Sequence, residues 1–204
     1  MALAASPEES AVGDAWRLVP RLFDPGYVGG ATAAHHWDLT EQLFRTTFVF
    51  TARKLRRREL EIEGAPFALR HRADRLIFGT RPVWRGATKV EVSDPHRTIV
   101  DMLDDPSTGG GMRHVADCLR AYLARRDADP TVLLDYARRL GNGAVFKRLG
   151  FLLDRQGQLP AVAEQCRARL TTGVVKLDPA VASRRLVTRW RLWVPEGWKG
   201  AGRD

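Results

Sequence analysis

One change of hydrophobic period, at Ser93-Asp94-Pro95, divides this chain into a strand-forming half and a helix-forming half. Upstream, Phe48 and Phe50 alternate with Thr47, Val49 and Thr51, and Lys89 to Val92 alternates again, the period-two pattern of a pleated strand. Glu59 to Ile62 and Phe67 to Arg70 flank Gly64-Ala65-Pro66 in the manner of a hairpin. Downstream, Asp94 supplies a capping carboxylate and Pro95 a ready first helical residue, and Asp129-Pro130 repeats the signal. Apolar stripes follow at helical spacing: Ile99, Val100 and Leu103; Val115, Leu119, Tyr122 and Leu123; Leu133, Tyr136, Ala137 and Leu140; Val145, Leu149, Leu152 and Leu153. A further helix is expected over about 159–170, and closing strands at 174–177 and 189–194. Strands followed by helices argue an α+β fold. The expectation is an antiparallel or mixed β-sheet in the N-terminal half packed against a C-terminal helical bundle. Residues 1–26 read as a loose segment with a short helix, 27–92 as a helix plus β-sheet subdomain, and 93–204 as mainly helical with closing strands.

Charge narrows the class of partner. The chain has 33 Lys and Arg against 24 Asp and Glu, a net +9. Residues 1–41 carry 2 basic and 6 acidic groups, 42–90 carry 12 and 4, and 91–204 carry 19 and 14. A basic middle segment points to an acidic partner, either nucleic acid or an acidic protein face. Its densest part is Arg53-Lys54-Leu55-Arg56-Arg57-Arg58, directly after a strand. A second set, Arg138, Arg139, Lys147 and Arg148, flanks the Gly141-Asn142-Gly143 elbow. These nine cations, Arg53, Lys54, Arg56, Arg57, Arg58, Arg138, Arg139, Lys147 and Arg148, are the candidate partner-binding residues. Trp84 is either an interface aromatic or a core residue of its strand.

Little else suggests chemistry. His35 and His36 are adjacent on an expected helix and point about a hundred degrees apart, so they make a poor metal pair. Asp101, Asp104 and Asp105 read as a solvated helix end. Gly109-Gly110-Gly111 lacks the Lys and Ser/Thr that complete a phosphate loop. No catalytic residue, metal or cofactor is expected, and the chain does not read as an enzyme. Cys118 and Cys166 stand far apart and fit two reduced, buried thiols of a cytoplasmic protein. No apolar run approaches the roughly 18 residues of a membrane span, so no membrane partner is expected.

Several segments in order carry a family likeness. They are Tyr27-Val28-Gly29-Gly30 with Leu39-Thr40-Glu41-Gln42; Thr47-Phe48-Val49-Phe50-Thr51; Ile77-Phe78-Gly79 and the Trp84 strand; Val92 to Asp101; Tyr136 to Asn142; Lys147 to Leu153; and Arg189-Trp190-Arg191-Leu192. Together, over about 27–194, they resemble the AbiEi family of antitoxins. The resemblance implies a bacterial protein of a type IV toxin–antitoxin system, linked to phage defence. Its partner would be a cognate nucleotidyltransferase-like toxin of the AbiEii or MenT kind. Many family members carry a winged helix-turn-helix that represses their own operon. About 26 residues precede Tyr27, fewer than such a head needs; either this member lacks the head or the sequence is a fragment of a longer chain, and this chain alone is expected to bind DNA weakly and without sequence preference. The alternative reading is a nucleic-acid-binding transcriptional regulator, an autorepressor, using the basic surface.

Overall fold

The computed structural model describes residues 15–198, so the expectation for residues 1–14 lies outside the described residues. The fold is α+β and falls into two compact units that meet at Thr98 and Ile99. The sequence placed this boundary at 92/93. It falls later because the first turn of a helix belongs to the first unit.

That unit contains helix α1 (Val19–Phe23), strand β1 (Gly26–Val28), helix α2 (Gly30–His36), and strands β2 (Thr47–Thr51), β3 (Glu59–Ile62), β4 (Ala65–His71), β5 (Thr80–Arg85) and β6 (Thr88–Ser93). The strands form one mixed sheet in the order β3-β4-β2-β1-β6-β5. β1 is antiparallel to β2 and parallel to β6, β2 is parallel to β4, and two antiparallel hairpins close the flanks. Both hairpins turn in two residues: Glu63-Gly64 has φ of 52° and 78°, and Gly86-Ala87 starts at 59°. Such turns match strand twist and favour glycine. Ala65 and Pro66, expected in the turn, are the first residues of β4. Pro82 is tolerated because β5 is an edge strand.

One sheet face buries Val28, Val49, Phe67, Leu69, Val90 and Val92 against Trp16, Val19 and Phe23 of the α1 segment. The other face carries Tyr27 stacked on Phe50 at 5.2 Å between ring centroids. Arg97, fully buried, donates to the Tyr27 hydroxyl at 2.9 Å and to the Leu76 carbonyl at 3.2 Å. Its guanidinium lies 4.1 Å from the centre of the Phe78 ring. A buried charge is tolerable only with such partners. Asp94 caps the helix that follows by accepting from the Arg97 amide at 2.8 Å, as the Asp-Pro signal predicts. His36 packs edge-on against Trp16 and Trp37, and both histidines are half-buried. Burial first, then the Arg85 cation, lower the His36 pKa, while Asp38 raises it.

The second unit takes the rest of helix α3 (Pro95–Asp104), then α4 (Met112–Leu123), α5 (Pro130–Leu140), α6 (Gly143–Gln156), α7 (Pro160–Arg167) and a small sheet of β7 (Val175–Lys176), β9 (Leu192–Val194) and β8 (Arg185–Val187), in that order. Asp129 accepts from the amides of Thr131 and Val132 at the start of α5. Gly141 adopts a left-handed C-cap, and Asn142 then caps α6. α6 is buried on every side from Ala144 to Leu153, the signature of a central helix rather than a half-exposed one. Gly150 on α6 lies under the indole of Trp190, which donates to Asp154 at 2.9 Å.

Two stability predictions follow from these contacts. A Cβ at Gly150 would stand 2.1 Å from Trp190 Cζ3, so Gly150→Ala should lower stability by about 2 kcal/mol or more, read as the urea midpoint. For His36, the folded pKa lies below the ordinary value of 6.5. The unfolded chain therefore binds more protons between the two values, and stability falls as pH drops through about 6.5. His36→Gln should flatten that slope in thermal melts between pH 7.5 and 5.5. An unchanged slope would exclude His36 as its source.

Candidate partner-binding surface

The connection between β2 and β3 is built to hold charge in solvent. β4 lies between those two strands, so residues 52–58 must cross its end. The loop is pinned at both ends: the Ala52 amide donates to Pro25 O at 2.8 Å, and the Leu69 amide to Arg58 O at 2.6 Å. Arg53 Nε donates to Asp24 O at 2.8 Å, and the Arg53 carbonyl lies 3.2 Å from His71 Nδ1. Leu55 turns inward onto the core. Arg53, Lys54, Arg56, Arg57 and Arg58 are all exposed. Among the described residues, Lys54, Arg56, Arg57 and Arg58 make no ion pair and no side-chain hydrogen bond. Four cations within five positions, held at a braced loop, can pair with carboxylate or phosphate oxygens.

The second basic set divides. Arg138 and Arg139 point to solvent beside the inward Ala137 and Leu140, and Arg138 pairs with Asp135. Lys147 and Arg148 are corrections: they are 1% and 4% exposed and belong to the interior. Both cations donate to main-chain oxygens. Lys147 Nζ donates to Gly173 O. Arg148 donates from Nη1 to Leu103 O (2.8 Å) and Asp104 O (2.9 Å), from Nη2 to Lys176 O (3.0 Å) and from Nε to Leu177 O (3.0 Å). It thereby fills the open carbonyls at the end of α3 and ties them to β7. Burial lowers the Arg148 pKa, and Asp104, Asp105 and Asp178 oppose that shift. A run of basic letters does not distinguish the two roles. The signal that does is the uninterrupted apolar context of Val145, Phe146, Leu149 and Phe151.

Other sequence expectations change place as well. Asp101 is fully buried rather than solvated, because α3 is enclosed along its length. Asp104 accepts from Asn142 Nδ2, and Asp105 accepts from the Ser107 amide at 3.1 Å. No cluster of metal-ligating side chains occurs among the described residues. Cys118 and Cys166 are free and buried, and burial pushes each thiol up to about 12. Among the described residues, no helix is long and apolar enough to cross a membrane. Trp84 is 65% exposed on edge strand β5 and is not a core residue.

No protein-family profile and no curated protein matches the chain. Among solved structures, it is similar to the crystal structure of the RV2827C protein from Mycobacterium tuberculosis, with a TM-score of 0.61 at 18% identity. The match covers 89% of this chain and 66% of that one, so the chain spans just under two thirds of that protein. The likeness is one of fold.

The two kinds of arginine respond differently to truncation. Arg148→Ala removes the donor to four carbonyls, those of Leu103 and Leu177 buried and those of Asp104 and Lys176 part-buried, and should cost about 2–4 kcal/mol. Arg139→Ala, at an exposed site, should stay within about 0.5 kcal/mol of wild type. Parallel denaturant titrations check the contrast; equal midpoints would remove Arg148 from the interior.

Proposed function

We propose that the chain is an antitoxin that binds and neutralises a nucleotidyltransferase-like toxin, with the β2–β3 loop as its basic contact. The observation that carries this reading is the set of four exposed cations, Lys54, Arg56, Arg57 and Arg58, free of partners among the described residues and held by a loop pinned at both ends. Charge of one sign on a rigid support steers an oppositely charged partner and sets its orientation. The AbiEi resemblance supports the identity of that partner. Tyr27, Gly29, Arg97, Gly150 and Trp190, all within segments that carry it, sit at close interior contacts. The role calls for no catalysis, metal or cofactor, and is that of a cytoplasmic protein.

A second reading, a nucleic-acid-binding autorepressor, is favoured by the same four cations, since they would equally suit phosphates. The two readings separate by specificity and salt. Binding that engages several phosphates weakens steeply as salt rises.

Co-expression with the toxin encoded beside it should restore growth. Reversing Arg56, Arg57 and Arg58 to Glu should weaken toxin binding about tenfold or more, or ~1.4 kcal/mol, with circular dichroism unchanged. Reversing Arg167 and Arg169 should have a smaller effect. Persistent growth arrest with folded wild-type protein would overturn the reading, and equal rescue by every variant would remove the loop from the contact. Nanomolar, competitor-resistant binding to its own promoter would favour the autorepressor.

A further inference from the structure

Strand direction brings together two features that lie about thirty residues apart in sequence. β2 and β4 both end at Thr51 and His71, level with Gly26 at the start of β1. β6 is parallel to β1, with Val28 opposite Val92, so its start at Thr88 lies at the same sheet end. Continuing that register carries the β5–β6 turn about two residues, or ~7 Å, beyond Gly26. The loop 52–58, the exit of β4 and the β5–β6 hairpin therefore share one rim. Nearest that rim, Trp84 and Lys89 form one row of the β5–β6 hairpin, and past the ends of β2 and β4 the Arg72 amide donates to Thr51 O and the Ala52 amide to Pro25 O. From β4 to β5 the rim crosses four strand intervals, about 20 Å.

We propose that this rim is one docking surface for an acidic face of a partner protein, with Trp84 as its apolar anchor and Lys54, Arg56, Arg57 and Arg58 as its charged arm. The proposal rests on the toxin-binding reading and names the chemistry of the partner's face. A tryptophan left 65% exposed on a strand held by a two-residue turn is a rigid aromatic of the kind that dominates interface energetics. Its neighbours select a protein over a polyanion. Glu91 lies in the next row and pairs with Lys89 at 3.3 Å, and exposed Glu59 follows Arg58 directly. Those carboxylates would oppose a phosphate backbone along the rim, whereas an acidic protein face can leave a neutral or basic side chain opposite them. A length of about 20 Å suits one side of a standard interface of roughly 800 Å².

The test uses the full chain and a random glutamate–tyrosine copolymer as a probe carrying both carboxylates and rings. A DNA duplex of equal charge serves as competitor. Trp84→Ala and Arg56→Glu/Arg57→Glu/Arg58→Glu should each weaken copolymer binding at least fivefold, with melting temperatures unchanged. The Trp84 loss should persist at high salt, while the arginine loss should shrink. Retention of wild-type affinity by Trp84→Ala, or no copolymer binding by the wild type, would overturn the proposal. Tighter binding of the duplex, lost in the same variants, would overturn the choice of partner. Growth rescue with the neighbouring toxin is scored separately. Rescue by wild type and by Trp84→Ala alike sinks the rim and leaves the antitoxin reading standing, whereas failure of wild-type rescue sinks the antitoxin reading whatever the copolymer shows.

Discussion

The guanidinium of Arg148 lies inside the second unit and donates to four carbonyl groups: two from the last turn of α3 and two from β7 and the residue after it. A helix end buried in a core leaves carbonyls that water cannot reach. One planar donor with fixed geometry answers them and at the same time joins segments far apart in sequence. That constraint requires α6 to run through the centre of the unit, and ten consecutive buried residues on α6 reflect it. Gly150 then lets Trp190 close over the helix, and Trp190 leads into β9.

The first unit uses the same device. Arg97 is held under the sheet by Tyr27, the Leu76 carbonyl and the ring of Phe78. Each unit thus contains a buried arginine whose charge is spread over hydrogen bonds and an aromatic face or main-chain oxygens. Removing either would strand polar groups in an apolar interior, where the penalty exceeds the net value of the bonds themselves. Arginines spent in this way are no longer available to a partner. The surplus of positive charge that is free to act is correspondingly smaller than net composition suggests, and its densest exposed run is residues 54–58.

A loop rich in arginine is ordinarily a solvated loop. The β2–β3 connection differs in its bracing. Leu55 anchors its middle, and main-chain bonds at Ala52 and Arg58 anchor its ends. Holding the cations in place lowers the conformational entropy lost when they engage a partner. The same sheet presents Trp84 on a hairpin that turns in two residues.

By itself, the sequence determined the switch from strands to helices, the five helices from α3 to α7 and the alternating strands β2, β3 and β6, whereas β1 and β8, three residues each, are too short to show a period, and 188–190, expected as strand, is a helical turn before β9. The period switch at Ser93, the Asp-Pro caps and the alternation around Phe48 are local signals, and local backbone physics reads them directly. It also determined that the 53–58 cations follow a strand and that Cys118 and Cys166 sit on inward helix faces. Three matters were left to tertiary structure. Lys147 and Arg148 lie inside because α6 is central, and centrality depends on what the other helices cover. Asp101 is buried for the same reason in α3. Trp84 shares a rim with the basic loop because β1 pairs in parallel with β6 and β2 with β4, and parallel pairing joins residues whose separation no local pattern encodes.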